Sequence, residues 1–461
     1  MPGADVDLSV PRRIHVVGVG GSGMSAIASV LAAMGHTVTG SDLKESAALE
    51  RLRAQGIEVH VGHDADHLDT PDLVTRSTAV GDSNPEVVMA RSRDIPVLRR
   101  ASILAAITAT RPTIAVSGTH GKTTTSSMLA LILVEAGLRP SFIIGGDVNE
   151  VGAGAVWGDG EWLVVEADES DGTFVELDAD VSVTTNVEPD HLEHYGGFDG
   201  LLDAFDRFVG GGERARVVCI DDEHAAALAA RHGAVTYGTA PEADYRVSDV
   251  ESGRARASFR LTKGDEELGP VELPIPGRHN VMNAAGALAT ALEIGAPFEA
   301  GRVALGRFGG VARRFEYRGE AAGVTFVDDY AHLPTEVCQM LGAASDGGWS
   351  RIVCVFQPHR YSRIDALWHS FADAFDDADL LVVTDIYPAG EAPRPGVSGK
   401  LVVDAALDAR PWRRVAYLPD RADLVSYLTA ELRPGDLCVT LGAGDLTTLP
   451  DEVQAALAER S

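Results

Sequence analysis

Apolar residues in this chain gather in short runs that break off sharply at glycine or at polar, turn-forming residues. Ile14-His15-Val16-Val17 is followed by the glycine-rich stretch Gly18 to Gly23, then by an apolar helical segment from Met24 to Met34 closed by Gly35. That order predicts strand, turn and helix. A second strand, Thr37-Val38-Thr39, ends at Ser41-Asp42, and the same short alternation continues to about Thr110. Alternating strands and helices build a parallel sheet covered on its faces, so this stretch is predicted to be a doubly wound α/β domain.

The cycle restarts with a strand at Thr113-Ile114-Ala115-Val116, a turn through Ser117 to Thr124, and a helix to about Ala136, with Gly137 and Pro140 as stop signals. Further strands are expected at Trp162-Leu163-Val164-Val165 and Val181-Ser182-Val183-Thr184, and this unit reaches the region of Arg313-Arg314. A last unit begins near Tyr317, with strands at 325–327, 352–356, 380–383 and 437–440. The expected organisation is three α/β domains over residues 1–110, 111–316 and 317–461, which agrees with the usual size of a domain core.

Composition narrows the function classes. With 45% hydrophobic and 23% charged residues, the chain can bury large cores. No apolar run reaches the ~18 to 20 residues that cross a bilayer, and Met1 to Pro11 lacks a basic region followed by an apolar one. A cytoplasmic protein without membrane insertion is expected. A net charge of −29 argues against nucleic acid and anionic membranes as partners. Cys219, Cys338, Cys354 and Cys438 lie far apart with no CxxC pair and read as reduced core thiols.

The strongest chemical signal is Gly118-Thr119-His120-Gly121-Lys122-Thr123-Thr124. Small residues between a strand and a helix let backbone N–H groups curl round phosphate oxygens, while Lys122 reaches the outer phosphates of ATP and the Thr123 hydroxyl suits Mg²⁺. Val116 stands where the generic pattern has its first glycine, so a plain glycine turn is the competing reading; the strand and helix around it disfavour that. Glu166 closes a buried strand and is the expected carboxylate for the metal, whereas a solvated acidic loop is expected around Glu169. Thr185 to His194 offers either a divalent-cation site or a zinc site; its spacing fits neither H-E-x-x-H nor H-x-x-E-H, and zinc is disfavoured. Gly18-Val19-Gly20-Gly21-Ser22-Gly23, with Asp42 about twenty residues on, fits a dinucleotide fingerprint. A nicotinamide-dependent oxidoreductase is therefore a rival. The separate ATP loop points instead to another diphosphate there, such as a UDP-linked substrate.

Together these segments resemble the Mur ligase family, the ATP-dependent amino-acid ligases of peptidoglycan synthesis. The likeness is carried by Gly118 to Thr124, Asn186 to His191, Arg278-His279-Asn280-Val281-Met282-Asn283, Arg313-Arg314-Phe315 and Asp328-Asp329-Tyr330-Ala331-His332. Gly18 to Ser25, Gly40 to Ser46, Gln357 to Arg363 and Asp385 to Glu391 are similar to the alanine-adding branch, several of them being shared with the tripeptide-adding branch of cell-wall recycling.

The resemblance implies a Rossmann-like N-terminal domain, a central P-loop ATPase α/β domain and a C-terminal Rossmann-like α/β domain. UDP-N-acetylmuramate and L-alanine are the implied substrates, ATP and Mg²⁺ (or Mn²⁺) the cofactors, and a monomer or weak homodimer the assembly. It places Gly18, Gly20, Gly21, Ser22, Gly23, Met24, Asp42 and His63 on the UDP-substrate. Gly118, Thr119, His120, Gly121, Lys122, Thr123 and Thr124 would meet ATP, with Asn280 and Asn283 near the adenine and its surroundings. Thr123, Glu166 and His191 would serve the metal. Arg314 would contact the transferring phosphoryl group, while Asp329 and His332 approach the nucleotide. The implied catalytic residues are Lys122, Arg314 and His332. Tyr330, His359, Arg360 and Arg363 would shape the alanine pocket. The chain departs from the family at Leu333, where a second histidine is common, and carries no lysine from Gly196 to Arg216, so no carbamoylated lysine is expected.

Overall fold

The computed structural model describes residues 6–148 and 153–459. Among them the strands form sheets of five, ten and six members. The first sheet is wholly parallel and runs Glu58–Val61, Thr37–Asp42, Arg13–Val17, Leu73–Arg76, Val97–Arg99. Strand order reverses between Arg13–Val17 and Leu73–Arg76, and the ends of parallel strands at such a switch point leave a crevice for a ligand.

In the ten-stranded sheet, Thr113–Ser117 lies between Val181–Thr184 and Leu163–Glu166, parallel to both. Every residue of Thr113–Ser117 and of Val181–Thr184 is buried. Strands covered on both faces need no charged face: Thr113–Ser117 carries the apolar run Ile114-Ala115-Val116, and Val181–Thr184 alternates valine with small hydroxyl residues that are themselves buried. The covering helices supply the opposite pattern: Phe198–Gly211 buries Leu201, Ala204, Phe205, Phe208 and Val209, a one-sided stripe at helical spacing.

The six-stranded sheet runs Glu316–Ala321, Val324–Asp329, Asp436–Leu441, Arg351–Phe356, Leu380–Val383, Val415–Tyr417. Only its first pair is antiparallel. The strands and the first two helices anticipated from periodicity form with boundaries shifted by a few residues at most; Met24 to Met34, for example, becomes Ser22–Ala33.

The chain divides into two compact units, one of residues 1–249, 259–271 and 282–308, the other of 250–258, 272–281 and 309–461. The first thus holds both the five-stranded sheet and most of the ten-stranded one. No helix among the described residues is long and apolar enough to cross a membrane. Three cysteines are buried, but Cys338 is exposed, correcting the expectation that all four are core thiols. It lies within helix Pro334–Ser345, whose inward stripe is Val337, Met340, Leu341, Ala343 and Ala344, and position 338 falls on the other face.

The second unit packs Phe356 against Phe371 and Phe375, with ring centroids 5.2 and 5.3 Å away. All three side chains are fully buried. Phe356→Ala is expected to destabilise this unit by about 3 to 5 kcal/mol, read from the shift of its transition in urea denaturation.

Candidate active site

In the first unit the chain leaves strand Thr113–Ser117 through Gly118 at φ +139° and enters helix Lys122–Glu135 through Gly121 at φ +84°. Both positions need glycine for space as well as for backbone conformation. A Cβ at Gly118 would lie 2.0 Å from Thr185 Oγ1, and one at Gly121 2.3 Å from Asn283 Oδ1. The loop is fastened from the neighbouring strand: Thr119 N donates to Asn186 O at 3.1 Å, His120 N to Asn186 Oδ1 at 2.8 Å, and Asn186 Nδ2 to His120 O at 3.1 Å. Thr185 Oγ1 donates to His120 O at 2.5 Å, and Glu188 N to Thr119 Oγ1 at 2.8 Å. The sequence marks Thr185 and Asn186 as part of a candidate cation-binding stretch after an apolar strand; that they clamp the Gly118–Thr124 loop follows from the pairing of Val181–Thr184 with Thr113–Ser117.

Lys122 Nζ donates to Gly118 O at 2.6 Å, to Thr119 O at 3.1 Å and to Glu169 Oε1 at 2.9 Å. Glu169 is 2% exposed, so the solvated acidic loop expected around it is corrected to a buried ion pair. The reason is local: the largely covered Lys122 ammonium needs a counter-charge, and the Tyr195 hydroxyl binds the Glu169 carbonyl and holds the segment inward. Burial works against the charge on Lys122, but Glu169 and Asp168 outweigh it and raise its pKa. Glu169 in turn is pushed up by burial, against the pull of Lys122.

Glu166 ends its strand where the sequence placed it. It accepts from Thr123 Oγ1 at 3.0 Å and from Gly145 N at 2.7 Å, so hydroxyl and carboxylate meet. His191 adopts φ +52°, and its Nε2 lies 3.1 Å from Asp190 Oδ2. Among the described residues no three His, Cys, Asp or Glu side chains converge as a metal cluster. Asn283 meets this loop through Thr125 Oγ1 at 3.3 Å.

The glycine loop of the five-stranded sheet is braced by strand Thr37–Asp42. Gly18 N and Val19 N donate to Ser41 O at 2.8 and 3.0 Å, and Gly20 N to Asp42 Oδ2 at 2.9 Å. Gly21 caps helix Ser22–Ala33, which carries Met24 on its buried side, and a Cβ at Gly23 would come within 3.2 Å of the Arg100 guanidinium. His63 Nδ1 lies 3.0 Å from the Ser41 hydroxyl.

The remaining predicted residues belong to the second unit. Asn280 Nδ2 donates to Pro276 O at 2.7 Å, at the start of helix Arg278–Glu293. Asp329 closes strand Val324–Asp329 and accepts from Phe315 N and Ala331 N, both at 2.7 Å. Arg313 and Phe315 have φ of 60° and 47°, a strained turn that brings Arg314 to within 5.2 Å of the Tyr330 ring centroid. His332 stacks edge-on between Tyr330 and His359, at 5.4 and 5.5 Å, and His359 lies parallel to Tyr387 at 5.8 Å. Arg363 Nη1 is 3.0 Å from His359 Nδ1, while the buried Arg360 Nε has no hydrogen-bond partner among the described residues. Leu333 is buried, and Glu336 accepts from the backbone N–H groups of both His332 and Leu333, at 2.9 and 3.2 Å. Nothing in the sequence marks Tyr387 or Glu336 as a site residue beyond the position of Tyr387 inside the Asp385 to Glu391 segment.

Burial pushes the Asp329 carboxyl from 3.8 up to about 6, against Arg314 and the two N–H groups. The folded protein thus holds this proton where the unfolded chain has lost it. The resulting stabilisation is full below about pH 3.8 and is lost as pH rises through about 6. Relative to Asp329→Asn, the wild-type protein is expected to lose about 2 kcal/mol of unfolding free energy between pH 4 and 6.5, measured by denaturation at each pH.

Comparison with known proteins gives a consistent result. The descriptions "Mur ligase family, catalytic domain", "Mur ligase middle domain" and "Mur ligase, glutamate ligase domain" match residues 13–112, 116–291 and 313–444. A UDP-N-acetylmuramate–L-alanine ligase of Bradyrhizobium sp. (strain ORS 278) is 45% identical over 469 residues, covering 97% of this chain and all of that protein. One from Solidesulfovibrio magneticus is 47% identical, over 94% of this chain and 96% of that protein. The crystal structure of UDP-N-acetylmuramate-alanine ligase from Thermotoga maritima superposes with a TM-score of 0.82 at 30% identity, over 98% of this chain and 100% of that one. A murein peptide ligase from Psychrobacter arcticus gives 0.69 at 25% identity, over 97% and 98%. With its phosphate loop built as described and relatives aligned along nearly its whole length, the chain belongs to the Mur ligase family.

Proposed function

We infer that this chain is an ATP-dependent ligase that joins L-alanine to the carboxylate of UDP-N-acetylmuramate through an acyl phosphate, supplying a peptidoglycan precursor. The observation that carries this reading is the phosphate loop, with Lys122 held across it and Thr123 in contact with Glu166. The relatives that align at 45 and 47% identity bear that activity in their names, which favours it over tripeptide addition. Asp42, the residue that suggested a nicotinamide cofactor, spends one carboxylate oxygen on Gly20 N, which supports a loop brace in place of ribose recognition.

Two anions must meet before they react. The substrate carboxylate attacks the γ-phosphorus of ATP, the bond to the bridging oxygen breaks, and ADP leaves. Lys122 and Arg314 are assigned to offset the repulsion, and fixed positive groups of this kind supply most of a phosphoryl-transfer rate enhancement. Thr123 and Glu166 fit Mg²⁺, since they offer a hydroxyl and a carboxylate 3.0 Å apart and hard oxygen donors are what that ion takes. When bound, it neutralises phosphate charge. His191 is assigned to the same region, with Asp190 fixing its ring. Asn280 and Asn283 are assigned to the adenine and its surroundings, and Asp329 orders the turn that carries Arg314 and Tyr330.

The amine of L-alanine then attacks the acyl carbon, gives up a proton, and inorganic phosphate leaves. Arg360, with an unpaired buried Nε, and Arg363 are assigned to the alanine carboxylate, as a guanidinium fork suits it. Tyr330, His332 and His359 wall that pocket.

Phosphate release with ATP and UDP-N-acetylmuramate is expected to be fastest with L-alanine, weak with glycine or serine and absent with the tripeptide; preference for the tripeptide overturns the assignment. Lys122→Ala is expected to cut turnover by at least about a thousandfold while binding of UDP-N-acetylmuramate, by calorimetry, changes less than about twofold. Arg360→Ala should raise KM for alanine by about thirtyfold in the same assay and leave KM for ATP near the wild-type value.

A further inference from the structure

Ser41 does two jobs in the first sheet. Its carbonyl carries the glycine loop through Gly18 N and Val19 N, and its hydroxyl donates to Glu86 Oε2 at 2.6 Å. Glu86 sits in helix Pro85–Ser92 and is 0% exposed. The same Oε2 lies 3.0 Å from His63 Nδ1, and Oε1 lies 2.9 Å from His67 Nδ1 and 3.6 Å from His15 Nε2. His67 stacks on His60 with centroids 4.3 Å apart, and His15 Nδ1 is 2.8 Å from Thr39 Oγ1. Burial works to raise the pKa of Glu86, but His15, Ser41 and His67 outweigh it and hold the carboxyl at about 2.

Such a group is costly to bury, and fold stability gives no reason to keep one. Val17, Leu68, Val74 and Ala90 form a small apolar cluster in the same domain, and buried ion networks can commonly be exchanged for apolar side chains without loss of stability. What distinguishes Glu86 is its reach: a single carboxylate oxygen holds both the residue under the glycine loop and an imidazole beside it. With Nδ1 engaged, His63 has Nε2 as the ring nitrogen left for a ligand.

We propose that Glu86 is a positioning residue for the UDP-linked substrate, fixing His63 and Ser41 so that the imidazole and the Gly18–Gly23 loop form one preset surface for its diphosphate. The proposal rests on the reading that this loop holds the UDP-substrate, and the experiment separates the two.

UDP-N-acetylmuramate affinity is measured by calorimetry, and KM for all three substrates by phosphate release, on the full chain. Glu86→Gln keeps the shape and removes the charge. It is expected to weaken UDP-N-acetylmuramate binding and raise its KM by about tenfold, with KM for ATP and L-alanine moving less than about twofold. Ser41→Ala, which deletes only the hydroxyl, should shift the same constant by about threefold and carries the test if Glu86→Gln does not fold. Wild-type affinity in the folded variants, or a loss shared equally by all three substrates, overturns the proposal. Gly20→Ala tests the underlying reading, because its Cβ would press on the Asp42 carboxylate at 2.9 Å. If Gly20→Ala binds normally, the loop assignment falls and the proposal with it. If it binds weakly while Glu86→Gln and Ser41→Ala bind normally, the loop assignment stands and only the role of Glu86 is rejected.

Discussion

One ammonium group, Lys122 Nζ, has to be kept charged while largely covered at the end of the central sheet. That requirement organises its surroundings. Two loop carbonyls and the Glu169 carboxylate accept its hydrogen bonds, and the loop that offers those carbonyls must turn through left-handed glycines. The loop cannot hold that shape alone, so Thr185 and Asn186 bind it from the adjoining strand end. Parallel neighbours make this possible: strands that run the same way end on the same side, and Glu166 and Thr185 reach the loop from either flank.

The same device recurs in all three sheets. Asp42, Glu166 and Asp329 each stand as the last residue of a parallel strand, and each accepts backbone N–H groups of an adjacent loop: Gly20, Gly145, and Phe315 with Ala331. A carboxylate is strong enough as an acceptor to fix a loop that has no regular hydrogen-bond ladder of its own. The loops at these strand ends are thereby set by the sheets beneath them, and the candidate site residues on those loops inherit that order. Glu86 extends the pattern one layer deeper, from a helix through Ser41 to the glycine loop.

Much of this could be read directly from the chain. Strands buried on both faces leave apolar runs, and the glycines after Val17 and Ser117 mark where each run must turn; Glu166 followed from its place at a strand end. The pairing of Glu169 is not legible, because an acidic run looks the same whether water or a lysine satisfies it. The exposure of Cys338 is equally hidden, because a single cysteine does not reveal which face of its helix it occupies. Glu86 carries no local signal, since a glutamate in the first turn of a helix is usually a solvated cap and nothing near it in sequence announces four partners.

The sequence by itself determined the alternating α/β plan, the glycine loop between Ser117 and Lys122 and the candidate residues around it, because periodicity and glycine placement are local properties of the chain. Tertiary structure alone decided which charges are paired, which histidines share a carboxylate and which strand ends brace which loops. Those depend on burial and on contacts between residues far apart in the chain, such as Lys122 with Glu169 or Ser41 with Glu86, and no local pattern encodes the dielectric environment in which a charge will finally sit.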